Sequence, residues 1–348
     1  MARVWRIGLI GFGNVGQGFV RILARKGREI AERYGCELRV IGISDPVKGC
    51  AFSEEGLDPK KLIELVDTKG NIWDYPGARK DIDSLFLCRC GSVDIIVEVT
   101  PTNIETGEPG LTHIRTALEH GKHVVTSNKG PIALAYPELA DLAKRKGVYL
   151  RFEGTVLSGT PAINLALEAM AGVDIRRVYG IVNGTTNFIL TKMEEGMSYE
   201  EALREAQRLG YAEADPRADV EGWDAAVKAV ILANVLMGAR ITIRDVERQG
   251  IVGISRDEVV KAVKEGYRIK LIAEVRREGS RVVASVKPRR VPLSHPLANV
   301  MGVTNALTFE TDHLGEVTIV GPGAGRIETG QAILSDILAI HRLVGGQR

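Results

Sequence analysis

The chain is poor in cysteine, close to zero in net charge and without long apolar runs, and each shortage removes a class of function. Four cysteines stand among 348 residues, Cys36, Cys50, Cys88 and Cys90, and they form no zinc-type pair of Cys-x-x-Cys motifs. Cys88-Arg-Cys90 comes nearest to one, but a cytosolic protein keeps such thiols reduced, which argues against a redox or metal role. Lysine and arginine number 46 against 44 aspartates and glutamates, a net charge of +2. The two signs alternate along stretches such as 200–208, as on solvated helix faces, and the basic stripe of a nucleic-acid binder is missing. No apolar run is long enough to span a membrane. Residues 4–10 read directly as a strand, with no charged, apolar and cleavage segments ahead of them, so the expected location is the cytoplasm. Glutamine is scarce beside plentiful charge, a balance in the direction of thermophilic proteins. The rest of the composition is ordinary for a globular protein, and the length allows two domains with ample cores.

What is present begins with glycine. Trp5-Arg-Ile-Gly-Leu-Ile-Gly-Phe-Gly-Asn-Val-Gly16 is a strand followed by Gly-x-Gly-x-x-Gly. Residues 17–34 then place Phe19, Val20, Leu23 and Ile30 on one helical stripe, and 37–45 form a second strand ending in Asp45. The glycine motif alone is weak; strand, motif, helix and acid-terminated strand together signal a dinucleotide site. In that reading Gly11 makes the tight turn, Gly13 lets the backbone approach a pyrophosphate and Gly16 lets helix and strand pack closely. Phe12, Asn14 and Val15 complete the turn, and free N–H groups at the helix start face the phosphates. Asp45 is placed to accept hydrogen bonds from a ribose with a free 2′-hydroxyl, which favours NAD. It lies further from the glycines than the usual roughly twenty residues, so the first helix or its exit loop must be longer. Ser44 and Lys48 beside it suit a 2′-phosphate instead, and NADP stays open as the alternative.

The alternation continues with 92–100, an unbroken apolar strand of the parallel-sheet kind, a helix at 110–121, a strand at 123–129 and a helix at 137–146. Strand C-termini in such sheets face the ligand crevice, and these end in Thr100, in Ser127 and Lys129, and in Glu153. Residues 46–85 carry no clear chemistry and read as a helix and loop on the sheet edge. From 154 onward the pattern changes. A strand at 177–182 ends in Asn183-Gly-Thr-Thr-Asn187, a turn rich in N–H and hydroxyl donors. Ser198-Tyr-Glu-Glu201 and Ser255-Arg-Asp-Glu258 are capping boxes opening amphipathic helices, and 267–275 with 281–286 read as a strand pair. The fold class is therefore α/β, a Rossmann-type parallel-sheet nucleotide domain joined to an α+β domain.

The most telling stretch is Gly210-Tyr-Ala-Glu-Ala-Asp-Pro-Arg-Ala-Asp-Val-Glu-Gly-Trp-Asp-Ala-Ala-Val-Lys228. It gathers Glu213, Asp215, Asp219 and Asp224 ahead of a helix that is apolar nearly all round, hence buried. Asp224 and Lys228 share one face of that helix a turn apart. A buried ammonium needs a partner. An isolated Asp-x-x-x-Lys is most simply a structural ion pair, but four carboxylates and a Gly-Tyr turn beside it make a pocket suited to bind an amino acid and donate a proton.

These motifs together resemble homoserine dehydrogenase over nearly the whole chain. The resemblance is carried by Gly11-Phe-Gly-Asn-Val-Gly16, Glu98-Val-Thr-Pro-Thr-Asn103, Thr126-Ser-Asn-Lys-Gly130, Asn183-Gly-Thr-Thr-Asn187, the stretch from Gly210 to Lys228, and Gly321-Pro-Gly-Ala-Gly325. It implies NAD(P)H-dependent reduction of aspartate 4-semialdehyde to homoserine, on the route to threonine and methionine, by a homodimer. Lys228 matches the proton donor. Lys129 matches a lysine contacting both substrate and nicotinamide, and two lysines close together would lower one another's pKa. Glu213 and Asp224, with Asp219 beside them, match the groups that grip the amino acid, and backbone donors at Gly184, Thr185 and Thr186 suit its α-carboxylate. Thr100, Ser127, Gly210 and Gly325 join the cofactor contacts. A sodium or potassium ion would be held by Glu153 and oxygens of Val156, Ser158 and Thr160. The implied domains are 1–152 for the dinucleotide, 153–315 for substrate and dimerisation, and 316–348 as a segment returning to the nucleotide domain with a helix at 329–341.

Two rivals are weighed against this. A regulatory protein that only senses NAD has no need of Asp224 and Lys228 in a buried helix. Aspartate-semialdehyde dehydrogenase forms a thioester through a cysteine, and here no cysteine follows Cys90 into the second half. The end of the chain at Arg348 leads to the expectation that a threonine-sensing C-terminal domain is absent.

Overall fold

The computed structural model describes residues 3–345 and divides the chain into two compact units, Met1–Gly159 with Gly325–Arg348, and Thr160–Ala324. The first unit opens with β1 (Arg3–Ile10), α1 (Asn14–Tyr34), β2 (Cys36–Asp45), β3 (Gly49–Phe52), α2 (Pro59–Lys69) and α3 (Ser84–Arg89). It continues with β4 (Ile95–Glu98), α4 (Gly110–Glu119), β5 (His123–Thr126), α5 (Lys129–Lys146) and β6 (Leu150–Arg151). The sheet order is β3-β2-β1-β4-β5-β6, parallel except for β3. Side chains alternate between two separate cores, as the strand period of two requires. Trp5, Ile7, Leu9, Ile95, Val97 and Val125 point into one, while Ile10, Ile96 and Val124 point into the other. Both faces are buried, which is why these strands read as unbroken apolar runs.

Three expectations are corrected here. The 46–85 segment contains a short antiparallel strand, β3, as well as its helix; four residues were too few to show a period. The strand expected at 123–129 stops at Thr126, and Asn128 caps α5 by accepting the Gly130 N–H at 3.2 Å. Lys129 is thus the first residue of a helix rather than the last of a strand. That helix starts before 137 because Pro137 follows a break at Ala135 and opens its second half. The long first helix anticipated from the late position of Asp45 is present as the 21 residues of α1.

The second unit runs α6 (Ala162–Asn164), β7 (Ile175–Ile181), α7 (Gly184–Glu194), α8 (Tyr199–Arg208), α9 (Arg217–Val220), α10 (Trp223–Leu236), β8 (Val246–Arg248) and α11 (Arg256–Lys264). It ends in β9 (Tyr267–Glu278), β10 (Arg281–Pro292), β11 (Thr304–Thr311) and β12 (Glu316–Pro322). Its sheet, in the order β12-β11-β7-β9-β10-β8, is antiparallel apart from β8 on β10. Helix α10 is buried from Ala225 to Asn234, which accounts for its apolar sequence. Both expected capping boxes form, at Ser198 with Glu201 and at Ser255 with Glu258. Residues 316–322 belong to this sheet as β12, so the chain returns to the first unit at Gly325, later than 316.

The returning helix, α12 (Arg326–Gly345), adds Ile333, Leu334, Ile337 and Ile340 to the first core. It crosses α1 at backbone distance, since a Cβ on Gly18 would overlap the Arg326 carbonyl. Asp336, fully buried on α12, accepts the Glu153 N–H at 2.8 Å and so fixes the turn at Glu153–Thr155.

Candidate active site

The glycine turn of the first unit is built by exclusion. Gly11 has φ +94°, and a Cβ there would lie 2.7 Å from the Val99 carbonyl oxygen, so only glycine fits the approach of β1 to β4. A Cβ on Gly16 would stand 2.5 Å from the Gly11 carbonyl. At Gly13 nothing lies within 4 Å, which leaves open space at the start of α1 where a pyrophosphate is expected. The α1 N-terminus carries no side-chain cap, so the N–H groups around Asn14 and Val15 keep the donors that an anion would take. These residues fit a dinucleotide.

Asp45 is brought to this turn, and its carboxylate is also engaged by backbone. Its Oδ2 accepts the Phe12 N–H at 2.6 Å, and Oδ1 accepts the N–H groups of Val47 at 2.8 Å and Lys48 at 2.7 Å. The carboxylate therefore holds the glycine turn to the end of β2 before any ribose arrives. The buried Ser44 hydroxyl faces Ser84 at 3.4 Å and Cys50 at 3.7 Å, and the Lys48 ammonium bonds the Gly70 carbonyl at 3.0 Å. Phe12 is fully buried and Asn14 is bonded by Arg326 at 2.9 Å. At the other strand ends, Thr100, Ser127 and Lys129 are half-buried. Gly325 sits at φ +141° and its carbonyl accepts the Thr329 N–H and hydroxyl at the start of α12.

In the second unit the structure gathers Asp219, Asp224 and Lys228 around a residue that the sequence reading passed over, Asn183. The segment 183–187 is the start of α7 rather than a free turn, with Asn183 Oδ1 accepting the Thr186 N–H at 2.9 Å as its cap. The Asn183 amide Nδ2 donates to Asp219 Oδ1 at 2.6 Å and to Asp224 Oδ2 at 3.0 Å. Lys228 Nζ donates to Asp224 Oδ2 at 2.7 Å and to the Val182 carbonyl at 2.6 Å. Lys228 and Asp224 are 9% and 14% exposed at their side chains, so their attraction is little screened. Burial pushes the Asp219 carboxyl up from its ordinary value, with Asp224 adding to the rise, while the Asn183 hydrogen bond and Lys228 oppose it. Asp219 and Asp224 thus share the Asn183 amide, and Lys228 is bonded to Asp224.

Other predicted members do not join this cluster. Asp215 is exposed and tied to Arg217, whose hydrogen bonds hold its carboxyl down at about 2. Glu213 and Gly210 are exposed, and the Glu213 backbone carbonyl accepts from Gln207 at 3.1 Å. Thr185 donates to the Tyr211 carbonyl at 2.6 Å, and Thr186 donates to Asn183 Oδ1 at 2.9 Å. Gly184 stands at the first position of α7.

For the expected cation, Glu153 is fully buried, and Leu157 and Ser158 have the left-handed φ values of 57° and 52°. Non-glycine residues seldom adopt that backbone. The Ser158 hydroxyl is hydrogen-bonded to Thr329 at 2.6 Å. Thr160 lies in the second unit and donates to the Pro322 carbonyl at 3.0 Å. Among the described residues no group of three or more His, Cys, Asp or Glu is arranged for a metal. All four cysteines are free thiols, and burial pushes Cys88 up to about 12, with Glu98 adding to the rise.

A glycine turn open to pyrophosphate, in one chain with a buried lysine set beside half-buried carboxylates, is the equipment of a nicotinamide-dependent dehydrogenase acting on an amino acid. Comparison narrows the class. Residues 11–153 match the homoserine dehydrogenase NAD-binding domain and 161–338 match the homoserine dehydrogenase domain. The chain is 45% identical over 340 residues to an NAD(+)-dependent homoserine dehydrogenase of Pseudomonas canavaninivorans, covering 97% of this chain and 96% of the relative. It is 46% identical over 334 residues to homoserine dehydrogenase of Methanocaldococcus jannaschii, covering 96% and 97%. It also superposes on a hyperthermophilic archaeal homoserine dehydrogenase solved with NADPH, with TM-score 0.84, 34% identity and coverage of 97% and 98%. The chain belongs to the homoserine dehydrogenase family. No helix among the described residues is long and apolar enough to cross a membrane.

Proposed function

We propose that this homoserine dehydrogenase reduces L-aspartate 4-semialdehyde to L-homoserine in the biosynthetic direction, towards threonine and methionine, with Lys228 as proton donor. The observation that carries the assignment is the Lys228 ammonium, buried and held 2.7 Å from Asp224 on a helix that is otherwise apolar. The bound nicotinamide supplies a hydride, and negative charge then grows on the substrate's carbonyl oxygen. An ammonium at that oxygen gives up a proton as the charge appears, and Asp224 steadies its position. Asp219 and Asp224 offer carboxylate oxygens to the substrate's α-ammonium. The start of α7 offers the N–H groups of Gly184 and Thr185 to the α-carboxylate, with the Thr186 N–H held by the Asn183 cap. Glu213 closes on the ammonium of the bound substrate from its exposed loop, and Lys129 contacts the ligand from the start of α5.

The cofactor lean is towards NAD, since a carboxylate at the end of β2 repels a 2′-phosphate. A homodimer is supported by the second sheet's face carrying Arg177, Tyr179, Glu274, Arg276, Arg289 and Glu316 around a cleft of about 670 Å³. Charges of both signs on one patch suit a two-fold interface in which the patch meets itself. A sodium or potassium ion would be held by Glu153 and oxygens of Val156, Ser158 and Thr160, hard ligands that suit an alkali cation. Initial rates with the semialdehyde and either NADH or NADPH test the reading. Turnover with NADH as the better cofactor is expected. Strong preference for NADPH would overturn the lean, and no turnover with either would overturn the assignment.

A further inference from the structure

One buried carboxylate of the first unit has no part in the reading above. Glu98, the last residue of β4, is fully buried. Thr100 donates to its Oε1 through the backbone N–H, at 3.1 Å, and through the hydroxyl. The Thr126 hydroxyl donates to the Glu98 carbonyl at 2.8 Å and lies 3.2 Å from Oε2. Both hydroxyls in turn accept from Asn128. Its backbone N–H reaches Thr126 Oγ1 at 2.9 Å and its Nδ2 reaches Thr100 Oγ1 at 3.3 Å. Asn128 is also the cap of α5, where Lys129 begins the helix. His113 Nδ1, buried and without a hydrogen-bond partner, stands 3.7 Å from Glu98 Oε1.

A hydroxyl has one proton and two lone pairs. With the Thr100 proton drawn to Glu98, Thr100 Oγ1 has only lone pairs to offer elsewhere. One faces Asn128, and the other remains for a ligand at the half-exposed end of the strand. A carboxylate at this point thus sets the polarity of a neighbouring hydroxyl and ties down the turn that carries Lys129.

We propose that Glu98 is a positioning residue for hydride transfer, fixing Thr100 Oγ1 as an acceptor for a ligand N–H of the carboxamide class. The inference rests on the proposed placement of Thr100 among the cofactor contacts. Glu98→Gln keeps the shape but replaces the carboxylate with a neutral amide, so the charge-assisted bond that holds the Thr100 proton is weakened. The expected loss in kcat/KM is about tenfold to a hundredfold, with Thr100→Val losing about tenfold. Because Glu98 acts through Thr100, the double variant falls within about twofold of Glu98→Gln alone. Losses that multiply in the double variant, or a Glu98→Gln enzyme that is less heat-stable but kinetically unchanged, overturn the inference and leave the Thr100 contact standing. Wild-type kinetics in Thr100→Val overturn that contact, and the inference with it. Should Glu98→Gln fail to fold, Thr126→Val cuts the same network while keeping the carboxylate. A loss of about threefold or more that does not multiply with Thr100→Val supports the role, and an additive one overturns it.

Discussion

Asp45 and Asp336 of the nucleotide unit and Asp219 and Asp224 of the second unit are used in opposite ways. In the nucleotide unit, Asp45 accepts the backbone N–H groups of Phe12, Val47 and Lys48, and Asp336 accepts that of Glu153. These acids hold backbone in place. In the second unit, Asp219 and Asp224 face a side-chain amide and an ammonium. There the carboxylates meet polar side chains rather than backbone, groups that can exchange protons and partners with a ligand. Removing a carboxylate of the first kind should loosen binding of whatever the backbone cradles. Removing one of the second kind should strike the chemistry.

Asp224→Asn keeps the shape of its site while deleting the charge opposite Lys228, and should lower kcat by about a hundredfold with cofactor affinity unchanged. Steady-state kinetics with a parallel fluorescence titration of NADH check the split; a loss confined to cofactor binding would erase the contrast between the units. Asp45→Ala should raise KM for both NADH and NADPH by about tenfold, because the Phe12 N–H and the glycine turn lose their tie. If NADPH use improves outright, repulsion of a 2′-phosphate outweighs the structural role. Glu213→Ala should raise KM for the semialdehyde by about tenfold with kcat near wild type, since its contact is made equally in ground and transition states. A pure kcat defect would contradict that placement.

The smallest effect concerns stability. The Asp219 carboxyl is raised above its unfolded value of 3.8 by burial. The folded state therefore holds its proton more tightly than the unfolded one, and this group contributes stability that is lost as pH rises through its folded pKa. Asp219→Asn should accordingly raise Tm by about 2 °C at pH 7, a gain that disappears below about pH 4. A gain equal at both pH values would place its cause outside the titration.

The same contrast governs what could be read from residues alone. The glycine turn was legible because its requirements are local, with Gly11, Gly13 and Gly16 within six residues and the acid at a strand end. Lys228 and Asp224 were legible because one helical turn separates them. Asn183 was not: its bonds to Asp219 and Asp224 span 36 and 41 residues, and an Asn before Gly-Thr-Thr reads equally well as a turn. Glu98 was hidden for a similar reason, as the last residue of an apolar strand whose partners arrive from another strand end and a helix cap. The backbone role of Asp45 was not legible, because nothing in the sequence shows a carboxylate reaching back to Phe12.

The kinetics of Lys228→Ala, measured beside its affinity for NADH, test the proton-donor assignment most directly. The expected result is a kcat for semialdehyde reduction lower by about a thousandfold, with the NADH Kd within about twofold of wild type. Turnover near the wild-type rate in a correctly folded variant would contradict it.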